Sequence, residues 1–307
     1  MTLMEFFDTV YLRARPLSED GKHTYRAAIS QLQRFAGREL DLTEVSADLI
    51  ADFMAAYREK WSASSTNNKR AHLLVIWRFA YRRKLHPVEP PDNHDLPKVK
   101  EPRREPKAWT TEEYGRLLAA AERMAVDVQN GLTWGPAHWK AFLLVQLDTA
   151  HRRGALLSYP SMTPPILTTR RDQVRDGFLT VLAEHTKQHA DTVHKLHPDT
   201  LAAIEGLPPH TLLFPWPYAE RMLDDRYRVL VALAGFTPGR KTGTHKNRRT
   251  SATAVAAKAG ITAAARHCGH STERMTIANY VDKAQMPSIH GCDVIDRPSA
   301  VQPEEGA

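Results

Sequence analysis

Six prolines lie between Pro87 and Lys107, and this stretch constrains the fold more than any other. Prolines at that density withhold backbone donors and favour extended chain, so neither a helix nor a central strand can run through it. The chain of 307 residues is therefore cut in two, and each part is long enough to bury its own core. The expected organisation is a helical domain over 1–86, a Pro-rich linker over 87–108, a larger domain over 109–286 and a flexible tail over 287–307.

Ahead of the linker, apolar residues recur at helical spacing over 3–13, 18–35, 45–60 and 62–85, with breaks near Pro16 and Gly37. Ser18 and Ser62 are placed to cap two of these helices. Residues 62–86 carry six Lys or Arg and no Asp or Glu. Leu73, Trp77 and Ala80 are expected to face the core, leaving Lys69, Arg70, Arg82 and Arg83 toward solvent. Such a face is either plainly solvated or a grip on a phosphate backbone. The net charge of +7 favours an anionic partner. Two cysteines, Cys268 and Cys292, and no secretory signal point to a reducing, cytoplasmic setting, and no apolar run is long enough for a bilayer.

Beyond the linker, Thr110 or Thr111 opens a helix to about Val126, and a second runs from about Pro136 to Asp148. A β-region follows at Phe178–Ala183, then HTKQHADTVHKL reads as a hairpin turning at 188–191. Helices are expected near 199–205 and 218–234. The run from Pro238 to Ala265 contains no acid.

Four short motifs carry chemistry. DTAHRRGALL ends the second apolar helix with Arg152 and Arg153; Lys187 sits in the hairpin; THKNRR sets His245 and Arg248 on one helical face; CGHSTERMTIANY offers His270 and Tyr280. Each has a bland alternative. An Arg pair at a helix end is an ordinary charge cap, a hairpin lysine guards an edge, and Lys195 competes with Lys187. A zinc site from His267, Cys268, His270, His290 and Cys292 fits no standard ligand spacing. Arginine, histidine and tyrosine together suit phosphoryl transfer, since arginine grips phosphate oxygens and a tyrosyl oxygen can attack phosphorus.

In this order the motifs resemble the tyrosine recombinase (phage integrase) family, over roughly 149–283 and more loosely over the N-terminal helices. The resemblance implies a mainly α fold with a small β-sheet: an N-terminal four-helix core-binding domain and an α+β catalytic domain. It implies a catalytic set of Arg152, Lys187, His245, Arg248, His270 and Tyr280. Arg152 and Arg248 would clamp the phosphate and His270 would add a donor. Lys187 would protonate the leaving oxygen, and His245 would assist the tyrosine. Arg153, Arg240, Lys241, Lys246 and Arg249 join Lys69, Arg70, Arg82 and Arg83 as expected DNA contacts. The implied partners are double-stranded DNA and further copies of the chain, dimer to tetramer, with no membrane, metal, ATP or other cofactor. The implied activity is site-specific recombination, including DNA integration by a mobile element, in the cytoplasm or on a bacterial nucleoid. A decayed recombinase that only binds DNA, or a type IB topoisomerase-like enzyme, are the alternatives. Two departures stand out. Tyr280 follows His270 by ten residues where the family has nine, and Ala155 occupies the family's acidic position.

Overall fold

The computed structural model describes residues 1–101 and 105–287, and the chain divides into two compact units, Met1–Arg103 and Arg104–Ala307. The expected tail over 287–307 lies outside the described residues except for its first position.

The first unit is helical. Helix α1 (Leu3–Phe6) opens on a capping box between Thr2 and Glu5, runs through a π-turn at Phe7–Tyr11 and continues as α2 (Leu12–Ala14). Ser18 caps α3 (Glu19–Ala36), which stops at Gly37, a left-handed residue with φ 73°. Ser46 caps α4 (Ala47–Arg58) and Ser62 caps α5 (Ala63–Arg82). Ile29, Leu32, Ile50, Phe53, Leu73, Ile76 and Trp77 form the centre of the core. The sequence places Arg70 on the solvent face, but the side chain is buried. Its Nε donates to the Leu96 carbonyl at 2.9 Å and its Nη2 to Asn93 Oδ1 at 3.0 Å. Those acceptors come from the Pro-rich stretch. That stretch is expected to be a linker, yet up to residue 101 it lies against this unit. Leu96 enters the core, and Asn67 pairs with both the amide and the carbonyl of Val99, each at 2.9 Å. Apart from a turn at 93–96 the prolines leave it without regular structure, and Asn67 and Arg70 partner its backbone groups.

The second unit opens with α6 (Thr111–Ala121), fixed by a capping box between Thr110 and Glu113. It ends five residues earlier than expected, giving way to a hairpin of β1 (Asp127–Gln129) and β2 (Leu132–Trp134). Asn130 and Gly131 form its turn, both with positive φ, the geometry that Asn-Gly adopts in two-residue hairpins. Helix α7 (Pro136–Thr149) is apolar on nearly every side and fills the centre. Its Trp139 and Phe142 pack edge to face with Trp134, Phe214 and Trp216 from the surrounding elements. After α8 (Arg153–Leu156), β3 (Leu157–Ser158) pairs in parallel with β7 (Phe214–Pro215). Strands β4 (Val174–Arg175), β5 (Phe178–Val181) and β6 (Thr192–Lys195) form an antiparallel sheet. The turn expected at 188–191 is a longer loop over 182–191. It is held by Asp191 Oδ1 accepting from the Ala183 amide at 2.7 Å and by Thr186 hydroxyl bonds. Helices α9 (Pro198–Glu205), α10 (Glu220–Leu233), α11 (His245–His267) and α12 (Glu273–Asn279) complete the unit. Helix α11 is interrupted at Gly260, where φ is 85°. Among the described residues, no helix is long and apolar enough to cross a membrane.

Candidate active site

Helix α7 delivers the first site residue. Thr149 bonds back to the Val145 carbonyl at 2.7 Å and receives the His151 amide at 3.2 Å, so the chain turns sharply. Ala150 takes a left-handed conformation with φ 52°, and Arg152, extended at the start of α8, projects half-buried into the site.

Helix α11 is set against this turn by a buried polar knot. Asn247 donates to Gln146 at 2.8 Å and accepts from the Trp109 indole at 3.1 Å and the Tyr227 hydroxyl at 2.8 Å. With all three partners satisfied, the register of α11 on α7 is fixed. Arg248, 2 % exposed, donates to the Ala150 carbonyl, to the Cys268 carbonyl at 2.7 Å and to His270 Nε2 at 3.0 Å. Gly269, at φ 64°, turns the chain out of α11 and brings His270 back over Arg248.

Arginine has only donors, so His270 Nε2 must accept and its proton sits on Nδ1, which faces Thr276 Oγ1 at 2.8 Å. The role expected for His270, a donor to phosphate, is therefore not its role in the free protein. Its Nε2 is already engaged by Arg248. Burial, then the charges of Arg248 and Arg152, push its pKa down to about 4, which keeps the ring neutral.

The tenth residue after His270 is accommodated by ending α12 early. Asn279 is the last helical residue, and Tyr280 leaves the helix at φ −127°. Its ring, 6 % exposed, lies 4.4 Å from that of His270 and 5.4 Å from that of His245. The Arg248 guanidinium stands 5.0 Å from its ring centre. Thr253 Oγ1 donates to the Tyr280 carbonyl at 3.3 Å and accepts from the Asp282 amide at 2.9 Å, clamping the backbone. His245 stands at the rim, still open to solvent. Desolvation by nearby protein, followed by the charges of Arg249, Arg248, Arg152 and Arg153, lowers its pKa to about 4.

Lys187 is exposed on the loop between β5 and β6 and lines one cavity of about 260 Å³ with Arg152, Arg248 and Ala155. Lys195, its competitor, borders a different hollow, next to Arg266 and Asp148. Arg152, His245, His270 and Tyr280 thus gather around Arg248, and Lys187 faces the same space from the hairpin.

The expected DNA contacts divide. Arg82, Arg83 and Lys241 are exposed, and Lys69 is half-buried. Arg153 is not free: its guanidinium donates to Asp224 and, at 3.2 Å, to Glu220. Two carboxylates neutralise it, so it ties α8 to α10. Lys246 rests its ammonium 3.4 Å above the Trp109 ring, and Arg249 donates to the Asn279 carbonyl at 3.1 Å, beside Tyr280. The side chain of Arg240 lies outside the described ones, as do His290 and Cys292. Among the described residues, no cluster of His, Cys, Asp or Glu could hold a metal.

The sequence motifs assign no role to Asn247, Thr276, His151 or His194, and His267 enters there only among the zinc candidates. Only the polar character of Asn247 and Thr276 inside otherwise buried stretches hinted at them.

Residues 4–84 match the family model of the phage integrase N-terminal SAM-like domain. No curated protein matches the chain. Among solved structures, a lambda integrase (75–356) dimer bound to a COC′ core site superposes with a TM-score of 0.72 at 18% identity, covering 94% of this chain and 99% of that one. The Tn1549 transposon integrase in complex with circular intermediate DNA gives 0.64 at 15% identity, covering 92% and 95%. The XerH site-specific recombinase bound to palindromic difH substrate gives 0.60 at 17% identity, covering 88% and 78%. The chain has the tyrosine-recombinase fold.

Proposed function

We propose that this chain, built on the tyrosine-recombinase fold, is a site-specific DNA recombinase that cuts and rejoins strands through a 3′-phosphotyrosyl link. The observation that carries the reading is the placement of the Tyr280 ring among Arg248, His245 and His270. A phosphodiester repels nucleophiles, and negative charge builds on its equatorial oxygens as attack proceeds. Arg152 and Arg248 supply fixed positive charge for those oxygens, and one such preorganised donor is typically worth about 3 kcal/mol. The carbonyls of Ala150 and Cys268 together with His270 hold Arg248 in place before substrate arrives.

In the step itself, the Tyr280 oxygen bonds to phosphorus as the bond from phosphorus to the 5′ oxygen breaks. The tyrosyl proton passes to His245, whose neutral ring keeps a lone pair. Burial does most to depress its basicity, and a bound phosphate offsets the part that comes from the neighbouring arginines. The 5′ oxygen takes a proton from Lys187. The new ester conserves the energy of the old one, so rejoining needs neither ATP nor metal. Rejoining to a strand from another duplex gives recombination, which requires more than one copy of the chain on the DNA. The lambda integrase match is itself a dimer on a core site. DNA integration by a mobile element, in the cytoplasm, is the setting this chemistry fits.

The test is trapping on a nicked suicide duplex whose cleaved end diffuses away. The wild-type chain should form a denaturation-resistant adduct through Tyr280, and Tyr280→Phe should bind the duplex yet form none. An adduct persisting in that variant, or mapped to another tyrosine, would overturn the assignment. One observation favours a second reading, a DNA-binding relic: Ala155, where the resemblance leads one to expect an acid, leaves a cavity without a carboxylate among its lining residues. An inert wild type that still binds DNA would support it.

A further inference from the structure

Three histidines that the proposed chemistry does not use form a continuous stack beside it. His151 Nε2 faces Thr192 Oγ1 at 2.9 Å. Its ring meets that of His194 nearly perpendicular, at 4.9 Å and 79°. His194 meets His267 the same way, at 5.4 Å and 80°. His267 Nε2 then faces Ser251 Oγ at 2.7 Å. Both ends of the stack are thus satisfied by hydroxyls, and the middle is held by ring edges against ring faces.

What the stack joins gives it meaning. His151 precedes Arg152 in the turn after α7. Thr192 and His194 lie on β6, the strand that follows the loop carrying Lys187. Ser251 is three residues from Arg248 on α11, and His267 leads directly into Cys268 and Gly269, the turn that holds Arg248 and His270. The loop also comes close to that turn: Gln188 and Gly269 line the same cavity, and a Cβ at Gly269 would stand 3.7 Å from the Gln188 side chain. All three rings border the cavity shared by Arg152, Lys187, Arg248 and Ala155. Uncharged rings are what such a place requires, since a cation there would stand against Arg152 and Arg248. Burial does most to hold the rings neutral, taking His151 down to about 3 and His267 to about 4.

We propose that His151, His194 and His267 are positioning residues that hold the Lys187 loop in register with Arg152 and Arg248. The inference rests on the proposed role of Lys187 as proton donor to the leaving 5′ oxygen. Among the described residues, the exposed Lys187 side chain makes no hydrogen bond or ion pair that would aim it. The stack fixes the strand that returns from it.

The test compares two suicide duplexes, one ordinary and one with sulfur in place of the bridging 5′ oxygen, since a thiolate departs without a proton. With the ordinary duplex, His194→Ala should bind as the wild type does and form adduct at least about tenfold more slowly, given how steeply rate depends on ångström-scale placement. With the sulfur duplex its rate should return to within about threefold of wild type, as should that of Lys187→Ala. His194→Phe, which keeps the ring contacts, should retain most of the wild-type rate on both. Should His194→Ala fail to fold, Thr192→Val removes the hydroxyl that His151 meets and is read by the same criteria. An unimpaired His194→Ala, or a defect of equal size on both duplexes while Lys187→Ala is rescued, overturns this inference alone. A Lys187→Ala defect that sulfur does not relieve overturns the lysine assignment and the inference together. A wild type inert on both duplexes overturns the strand-cleavage reading itself.

Discussion

His270 lies between Arg248 and Tyr280, its Nε2 3.0 Å from the guanidinium and its ring centre 4.4 Å from that of the tyrosine. One imidazole therefore orders both the group proposed to bind phosphate and the group proposed to attack it. Its tautomer is fixed from behind by Thr276, which is fully buried and takes the Nδ1 proton at 2.8 Å.

Thr276→Val should disturb catalysis without disturbing DNA binding. The isosteric change leaves His270 free to move its proton to Nε2, where it opposes the Arg248 donor. Adduct formation should slow by about tenfold, in line with the loss of a net hydrogen bond of about 1.4 kcal/mol. Gel-shift affinity and single-turnover cleavage on one duplex separate the two effects. Equal loss of both would show that Thr276 merely supports the fold.

The basic face of α5 gives a second expectation, sharpened by Arg70. Arg82 and Arg83 are exposed, so changing both to Ala should weaken binding to every duplex. Its salt dependence should flatten by about one unit of slope for each phosphate that is no longer neutralised. Arg70→Ala should behave differently. It strands the buried Leu96 carbonyl, costs about 1–3 kcal/mol of stability and leaves the salt slope unchanged. Salt titrations and thermal melts of the two variants check both statements. A flattened slope in Arg70→Ala would mean that the buried position does not describe the DNA-bound chain.

These contrasts show how far the sequence can be read. Helix positions in the first unit were legible because serine caps and apolar spacing agree, as at Ser18 and Ser62. The gathering of Arg152, His245, Arg248, His270 and Tyr280 was legible through motif order. Arg70 was not, because its partners Leu96 and Asn93 come from a stretch with no periodicity to reveal where it packs. Arg153 was not, because Asp224 and Glu220 lie some seventy residues away. The Asn-Gly pair at 130–131 suits a two-residue hairpin turn, but the strands it joins are only three residues each, too short to show an alternating pattern. The histidine stack left no local trace, since each ring belongs to a different element.

Buried histidines predict how stability responds to acid. Burial, aided by neighbouring charge, lowers His138 to about 4, His151 to about 3 and His267 to about 4, while a histidine in the unfolded chain titrates near 6.5. Between those values the unfolded chain binds more protons than the folded one. Stability is therefore fully present above about pH 7 and falls as pH drops toward 4. The denaturant midpoint should be lower at about pH 5 than at about pH 7.5, with carboxylates still largely ionised over that window. His138→Phe, which keeps a ring against Trp134, should lessen the difference. Equal midpoints at the two pH values would contradict the burial of these rings as charge-free groups.

Ala155 supplies the most demanding prediction. It is 5 % exposed and borders the cavity that Lys187, Arg152 and Arg248 share. A carboxylate there would meet three cations, which makes its absence a real chemical difference rather than a silent substitution. Yet the groups that would suffer from misplacement are held by other means. Arg248 is fixed by two carbonyls and His270, α8 by the ion pairs of Arg153, and Tyr280 by Thr253. Ala155→Glu should therefore change the rate of covalent complex formation by no more than about tenfold, or about 1.4 kcal/mol in the barrier. Both forms are measured on one suicide duplex, with DNA affinity determined alongside. If the wild type binds but does not cleave and the glutamate variant cleaves readily, the natural chain is a DNA-binding relic whose missing carboxylate was the deciding loss.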